Sequence, residues 1–276
     1  PNCTKRMIRY LLTLEWLKYR NNGLVKVLLL FFVISQSFLL LTGKKFPELP
    51  PPLPAPSAIF EFPSVYVYQG YIGNWLAFIL LGFLAIYMTS SEFSSKTFRQ
   101  NLITGLSRSQ MFQAKLYTIL MISTVATLLY WISCLAYGLI HTPDITIDLI
   151  TERWEWVLRY WLMCLGYMSF AWMLAVVFRR SALATIFYLT YVLFLEPILR
   201  WAVHYQLFNH RSMLFYPMNA IEDLEPNPFF EYADAIQQKD MPFPLFLQPW
   251  EAVLTSSIYI VIFLFITYRV IRRADL

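Results

Sequence analysis

SSEFSSKTFRQNLITGLSRSQMFQAKL, Ser90 to Leu116, is polar and basic, yet it joins two long stretches that carry no Lys, Arg, Asp or Glu, Phe62–Ser91 and Leu116–Pro143. Each of those stretches exceeds the roughly 20 helical residues needed to cross a hydrocarbon core of about 30 Å. The polar stretch is therefore a loop between two membrane spans. That reading sets the fold class: an all-α integral membrane protein.

The rest of the chain agrees. It is 58% hydrophobic and 14% charged, against about 25% charged residues in a soluble domain. Val27–Gly43, Tyr160–Phe178 and Ala252–Tyr268 are also free of Lys, Arg, Asp and Glu. Ser181–Leu195 is shorter, and to span it must carry Glu196 and Pro197 into the membrane. Six spans result, at about 24–42, 72–90, 113–140, 157–178, 181–201 and 251–270, within a single domain covering residues 1–276. Before them Lys5–Arg20 is amphipathic, with Met7, Tyr10, Leu11, Leu14 and Leu17 on one face. This predicts an interfacial helix. No cleavable leader is expected, because the first apolar run begins only after this helix.

Lys and Arg collect on the cytoplasmic side of membrane proteins. Assigning loops alternately places fifteen of the 22 basic residues, with three acidic ones, on the side of both termini and the Ser90–Leu116 loop. The other side receives seven basic and fourteen acidic residues. Both termini are therefore expected in the cytoplasm. The net charge of +5 reflects topology and contact with anionic lipid headgroups, not nucleic acid. Cys3, Cys134 and Cys164 are too scattered for a disulfide framework, and His141, His204 and His210 have no metal-ligand spacing, so no metal is expected. On the outer side, PELPPPLPAP (Pro47–Pro56) predicts a stiff polyproline spacer. The long apolar segment before the last span, with a helix-compatible FFEYADAIQQ at Phe229–Gln238, predicts short re-entrant or interfacial helices.

Polar groups within spans are candidate functional residues. Ser35 and Gln36 interrupt the first span, either as interhelical glue or as the lining of a substrate path. Glu196 either lines such a path or forms an i,i+4 ion pair with Arg200.

In the opening stretch, Phe93–Leu106 has helical periodicity. Phe98, Leu102 and Leu106 share a face, Lys96 and Arg99 flank it, and Gly105 is a stop signal. Ser107 and Gln110 form a capping box for the following span. The stretch is a short amphipathic helix, a stop and a capped start.

An acid at the end of a span, then K-T-x-R-x-x-L, then G-L-S-R and a later Lys resembles the first cytoplasmic loop of type-2 ATP-binding-cassette (ABC) exporter permeases. The matching positions are Glu92, Lys96, Thr97, Arg99, Leu102, Gly105, Ser107, Arg108 and Lys115; many members carry Gly where Lys96 stands here. The amphipathic first helix, the six spans and the long outer segment fit the same family. The resemblance implies that this loop is a coupling helix seated in a cleft of a separate ATPase. Glu92, Lys96, Thr97, Phe98, Arg99, Leu102, Leu106 and Arg108 would form or support that interface. It further implies two ATPase copies holding ATP and Mg, a second permease copy or a homologous permease, a bacterial-type inner membrane, and outward movement of a lipid, peptide or hydrophobic compound. The chain has no phosphate-binding G-x-x-x-x-G-K-[ST]; its Gly-Lys, Gly43-Lys44, has Phe38 and Lys45 at the other key positions. No cofactor is expected on this chain. The competing readings are a membrane component of a non-transporting ATPase-driven assembly and a lipid-modifying membrane enzyme.

Overall fold

The computed structural model describes residues 2–45, 55–229 and 243–273. The Pro-rich stretch up to residue 54 and nearly all of FFEYADAIQQ, from residue 230 onward, lie outside them. Helix α1 is Asn2–Tyr19. It is followed by α2, Gly23–Lys45, whose end Leu39–Lys45 is wound as 3-10 helix, and α3, Ser64–Ser94. Then come α4, Thr97–Ile103, and α5, Arg108–His141. A short α6, Ile147–Thr151, leads into α7, Glu155–Phe178. Next are α8, Ser181–Phe208, α9, Pro217–Glu222, and α10, Pro249–Arg273. Six of these units, with α6 and α7 counted together, are long and apolar enough to cross a membrane, and they coincide with the six expected spans. The described residues contain no strand. We call the end of the bundle that carries α1, α4 and the Arg179-Arg180 turn the basic end, and the opposite one the acidic end.

Lipid tails are as apolar as leucine, so helices in a membrane are drawn together by close packing and polar links. The most apolar windows of α3 and of the α6–α7 unit are 67% buried, against 22% for α2 and 17% for α8. Two spans thus form the centre and the others turn apolar faces outward. Glycines on α3 allow the close approach. A Cβ on Gly73 would lie 2.3 Å from the Tyr160 ring, and one on Gly82 would lie 2.2 Å from the Tyr188 hydroxyl. Tyrosine hydroxyls supply many of the polar links. Tyr130 donates to the Tyr66 carbonyl at 2.8 Å and Tyr259 to that of Phe215 at 2.9 Å. Tyr188 donates to the Phe78 carbonyl at 2.8 Å, within a π-helical turn, Ala77–Leu81. Such turns disturb the ladder of backbone bonds, and in lipid every backbone group needs a partner.

The helix expected over Phe93–Leu106 is divided. Its first residues belong to α3, and the chain breaks at Lys96, whose φ of 57° is left-handed. Helix α4 then ends as expected, with Gly105 at φ 101°, and the capping box between Ser107 and Gln110 is present in both directions.

Candidate functional site

The basic end is organised by a buried ion network. Lys115, on α5, donates to Glu15 Oε2 of α1 at 2.8 Å, to Glu92 Oε1 of α3 at 2.5 Å and to the Tyr19 hydroxyl at 2.8 Å. Lys18 bonds Glu15 at 2.5 Å and reaches Glu92 at 3.4 Å. The Tyr19 hydroxyl lies 2.6 Å from Glu92 and 2.7 Å from the Met88 carbonyl. Burial pushes this phenol far above its ordinary range, with the Lys115 charge opposing, so it remains a neutral donor. Two lysines and two glutamates balance. Glu15, Glu92 and Lys115 are each less than 10% exposed. Desolvated ions of this kind persist only when well paired and hydrogen-bonded.

The network adds to the reading of α1 as an interfacial helix. Its apolar residues Met7, Tyr10 and Leu17 are exposed, at 40%, 57% and 49%, while Leu11, Glu15 and Tyr19 are buried. In a membrane the apolar side of an interfacial helix faces lipid, and here the side packed on the protein carries the acid. The sequence signal was Lys18, which falls one turn beyond Leu14 on the apolar face and serves Glu15.

Helix α4 lies over this network with its apolar face turned inward. Phe98 is buried and stacks on Phe93, with ring centroids 5.0 Å apart. Leu102 and Leu106 are half-buried against the core. The apolar face is thus mainly the supporting face of the loop. Outward it presents Lys96, Arg99, Gln100, Ile103 and Thr104, with Ile103 78% exposed. Thr97 is half-buried, and its hydroxyl lies 2.7 Å from that of Ser95. Lys96 stands where the resemblance anticipates glycine, and its left-handed φ is the conformation glycine adopts without cost. Arg108 is the first residue of α5. Its Nη1 donates to the carbonyls of Arg272 at 2.8 Å and Ile271 at 3.3 Å, covering orphan acceptors at the end of α10.

At the acidic end, the segment from Arg211 to Glu225 dips into the bundle. Met213, Leu214, Ala220, Ile221 and Leu224 are fully buried. Polar groups from four spans hold it there. Asn74 of α3 donates to the Glu222 and Glu225 carbonyls, both at 3.1 Å. Arg159 of α7 donates to the Asp223 carbonyl at 3.1 Å, and Ser256 of α10 to the Ala220 carbonyl at 2.8 Å. The fourth is α8. Glu196, 1% exposed, accepts from the Met218 amide at 3.0 Å and the Asn219 amide at 2.7 Å, two orphan donors at the start of α9. Arg200 donates through Nε to the Met213 carbonyl at 3.1 Å. The Glu196–Arg200 ion pair, one of the two readings of Glu196, is not among the salt bridges of the described residues, because each side chain is drawn to backbone of the Arg211–Glu225 segment, the plug.

Of the expected path residues, Gln36 is buried. Its Oε1 accepts from the Tyr160 hydroxyl at 3.2 Å, and its carbonyl accepts from Gln69 Nε2. It ties α2 to α3 and α7. Ser35 is half-buried on α2. None of Ser35, Gln36 and Glu196 lines the cavity that opens between α3 and α8, about 210 Å³, which is bordered by Asn74, Phe78, Tyr167, Leu193, Pro197 and Glu222. Tyr167 donates to Asn74 Oδ1 at 2.8 Å. Sequence reading passed over Asn74, Tyr167 and Glu222; an Asn inside a span was the available signal.

The plug also holds acids. Asp223 Oδ2 accepts from the Leu247 amide at 2.9 Å and from Asn219 Nδ2 at 3.0 Å. Burial raises this carboxyl to about 7; the Leu247 bond and the Arg200 charge oppose the rise, and the Glu222 charge adds to it. Glu225 is fully buried, with neither carboxyl oxygen hydrogen-bonded among the described residues, and burial pushes it well above the carboxylate range, with Arg159 opposing. A raised acid favours the fold when protonated. The stability from Asp223 is complete below the unfolded value of about 4 and is lost as pH rises through about 7. The purified chain is therefore expected to melt at a lower temperature at pH 8 than at pH 5. Asp223→Asn should flatten that slope; an unchanged slope in thermal melts would show that Asp223 is not its source.

A family model described as ABC-2 family transporter protein matches residues 11–195, about two thirds of the chain. The match takes in α1 from Leu11 onward, the ion network, α4 and the first four spans, and it stops one residue before Glu196. Among curated proteins, none matches the chain.

Proposed function

The chain belongs to the ABC-2 family of transporter proteins, and from that premise we propose that it is the permease of an ATP-driven exporter, with α4 as the element that receives force from a separate ABC ATPase. The basic end then faces the cytoplasm of a bacterial-type inner membrane. The observation that carries this reading is the construction of α4. Its inner face is fixed by Phe98, Leu102 and Leu106 above a network that joins α1, α3 and α5, and its outer face offers an exposed Ile103 among Lys96, Arg99 and Gln100. A force-receiving element must be rigid beneath and adhesive outside. Glu92 belongs to the base and Arg108 links it to the end of α10.

Two ATPase subunits, holding ATP and Mg, would act on two copies of this chain or on this chain and a homologous permease. The substrate is a lipid, peptide or hydrophobic compound. The cavity between α3 and α8 supports a path there, since it joins aromatic walls with the Asn74 amide and the Glu222 carboxylate.

Exposed apolar anchors of an interface typically cost more than about 1–2 kcal/mol each when removed. Ile103→Asp combined with Arg99→Glu is expected to lower co-purification of the ATPase by tenfold or more and to abolish substrate-stimulated ATP hydrolysis, with the permease's own melting temperature unchanged. Normal co-purification and stimulation in this variant would remove α4 from the interface.

A further inference from the structure

Beside α1 an apolar cavity of about 180 Å³ lies between α1, α2 and α5. A second, of about 200 Å³, continues it along α2 and α5. Both are lined by Trp16, Leu29, Met121 and Ile122, so they form one groove. On α5 the groove runs from Thr118 to Leu129, which is about 16 Å at about 1.5 Å per residue. That length matches one leaflet of the hydrocarbon core, about 15 Å. Its walls are almost wholly apolar, and it opens on the lipid-facing side, where Trp16, Met121 and Val125 are exposed.

The end nearest α1 is different. Arg20 and Lys26 line it there and are both exposed. Neither forms a salt bridge among the described residues. The carboxylate nearest in the lining, Glu15, is already bonded to Lys115 and Lys18. The groove thus has one leaflet's depth of apolar wall below two uncommitted cations at headgroup height.

We infer that this groove is a binding site for one membrane phospholipid with an anionic headgroup, its acyl chain lying along α5 from Thr118 to Leu129 and its phosphate held between Arg20 and Lys26. The site does not depend on the transport reading. It fastens the junction of α1 and α2 to the leaflet at the basic end and covers apolar surface that the fold leaves open beside the ion network.

The full chain, reconstituted in vesicles of equal parts phosphatidylglycerol and phosphatidylcholine, is extracted and its retained lipid counted by native mass spectrometry. The wild type should keep one phosphatidylglycerol in preference to phosphatidylcholine. Each basic residue near a lipid surface contributes on the order of a fivefold preference, so Arg20→Gln with Lys26→Gln should reduce the enrichment about 30-fold. Met121→Trp, which fills the groove where the two cavities meet, should expel the lipid of either headgroup; Val125→Phe serves the same purpose if that variant does not fold. Equal retention of the two lipids by the wild type would overturn the proposal, as would enrichment that survives neutralisation or filling. Disulfide linkage of two copies through Met121→Cys, with no lipid retained, would show instead that a second copy covers the groove.

Discussion

Lys115→Met is expected to leave little of the chain folded. The substitution keeps the length of the side chain and removes the buried charge that lies 2.8 Å from Glu15 and 2.5 Å from Glu92. Those carboxylates are buried, and breaking a buried ion pair from one side typically costs about 3–5 kcal/mol. Lys18 cannot replace the missing ammonium, because it lies at the edge of the network and reaches Glu92 only at 3.4 Å. Tyr19 also loses its donor from Lys115. The damage should therefore reach α1, which holds its place through Glu15 and Tyr19. Fluorescence-monitored gel filtration should show aggregate in place of a single peak, and a thermal melt should fall by many degrees. Adding Glu92→Gln to Lys115→Met should recover part of the loss, since one buried charge then goes with its partner. A melting temperature for Lys115→Met within a degree or two of the wild type would show that the network does not hold the basic end together.

The second large effect is expected at Glu196. Glu196→Ala strands the Met218 and Asn219 amides inside the protein, and each orphaned buried donor costs about 1–3 kcal/mol. Glu196→Gln keeps one acceptor oxygen and should lie between alanine and wild type. Arg200→Ala should weaken the segment through a different bond, the one to the Met213 carbonyl. It should not copy the Glu196 phenotype, as a simple ion pair would require. The readout is labelling of a Met218→Cys reporter by a membrane-impermeant maleimide. Met218 is 3% exposed in the structure, so labelling should be slow in the parent and at least tenfold faster with Glu196→Ala. Equal labelling rates would sink the view that Glu196 keeps the plug seated.

How much of this could be read in advance depends on the range of the forces involved. The spans were legible because length and absence of charge alone decide what can cross a bilayer. The end of α4 at Gly105 and the Ser107–Gln110 box were legible because caps are local chemistry within a few residues. The left-handed turn at Lys96 left no mark in its own residue type. Partners of buried polar groups were less legible. Glu196 and Arg200 suggest each other by spacing, yet both bind backbone some thirteen to twenty-three residues away. Glu15 lies opposite the apolar face of α1, and helical periodicity does not say that this side meets Lys115 of a distant span. Phe98 and Leu102 were correctly grouped on one face, but grouping does not say whether a face meets a partner or the helix's own support.

Helix α3 has a mechanical consequence. It is a helix of 31 residues with a π-helical turn at Ala77–Leu81, about 46 Å long at about 1.5 Å per residue. It is pinned near one end by Glu92 in the ion network and toward the other by Asn74 on the plug, with Tyr188 pressed against Gly82 between those points and Tyr160 against Gly73 beside Asn74. A strut fixed in this way has little slack. If α4 receives force as proposed, a push there, two residues beyond its end, is carried along α3 toward the plug through the π-helical turn at Ala77–Leu81, which Tyr188 braces. On that proposal the two ends of the bundle are linked by one braced lever, and its angle is the quantity the rest of the bundle would have to follow.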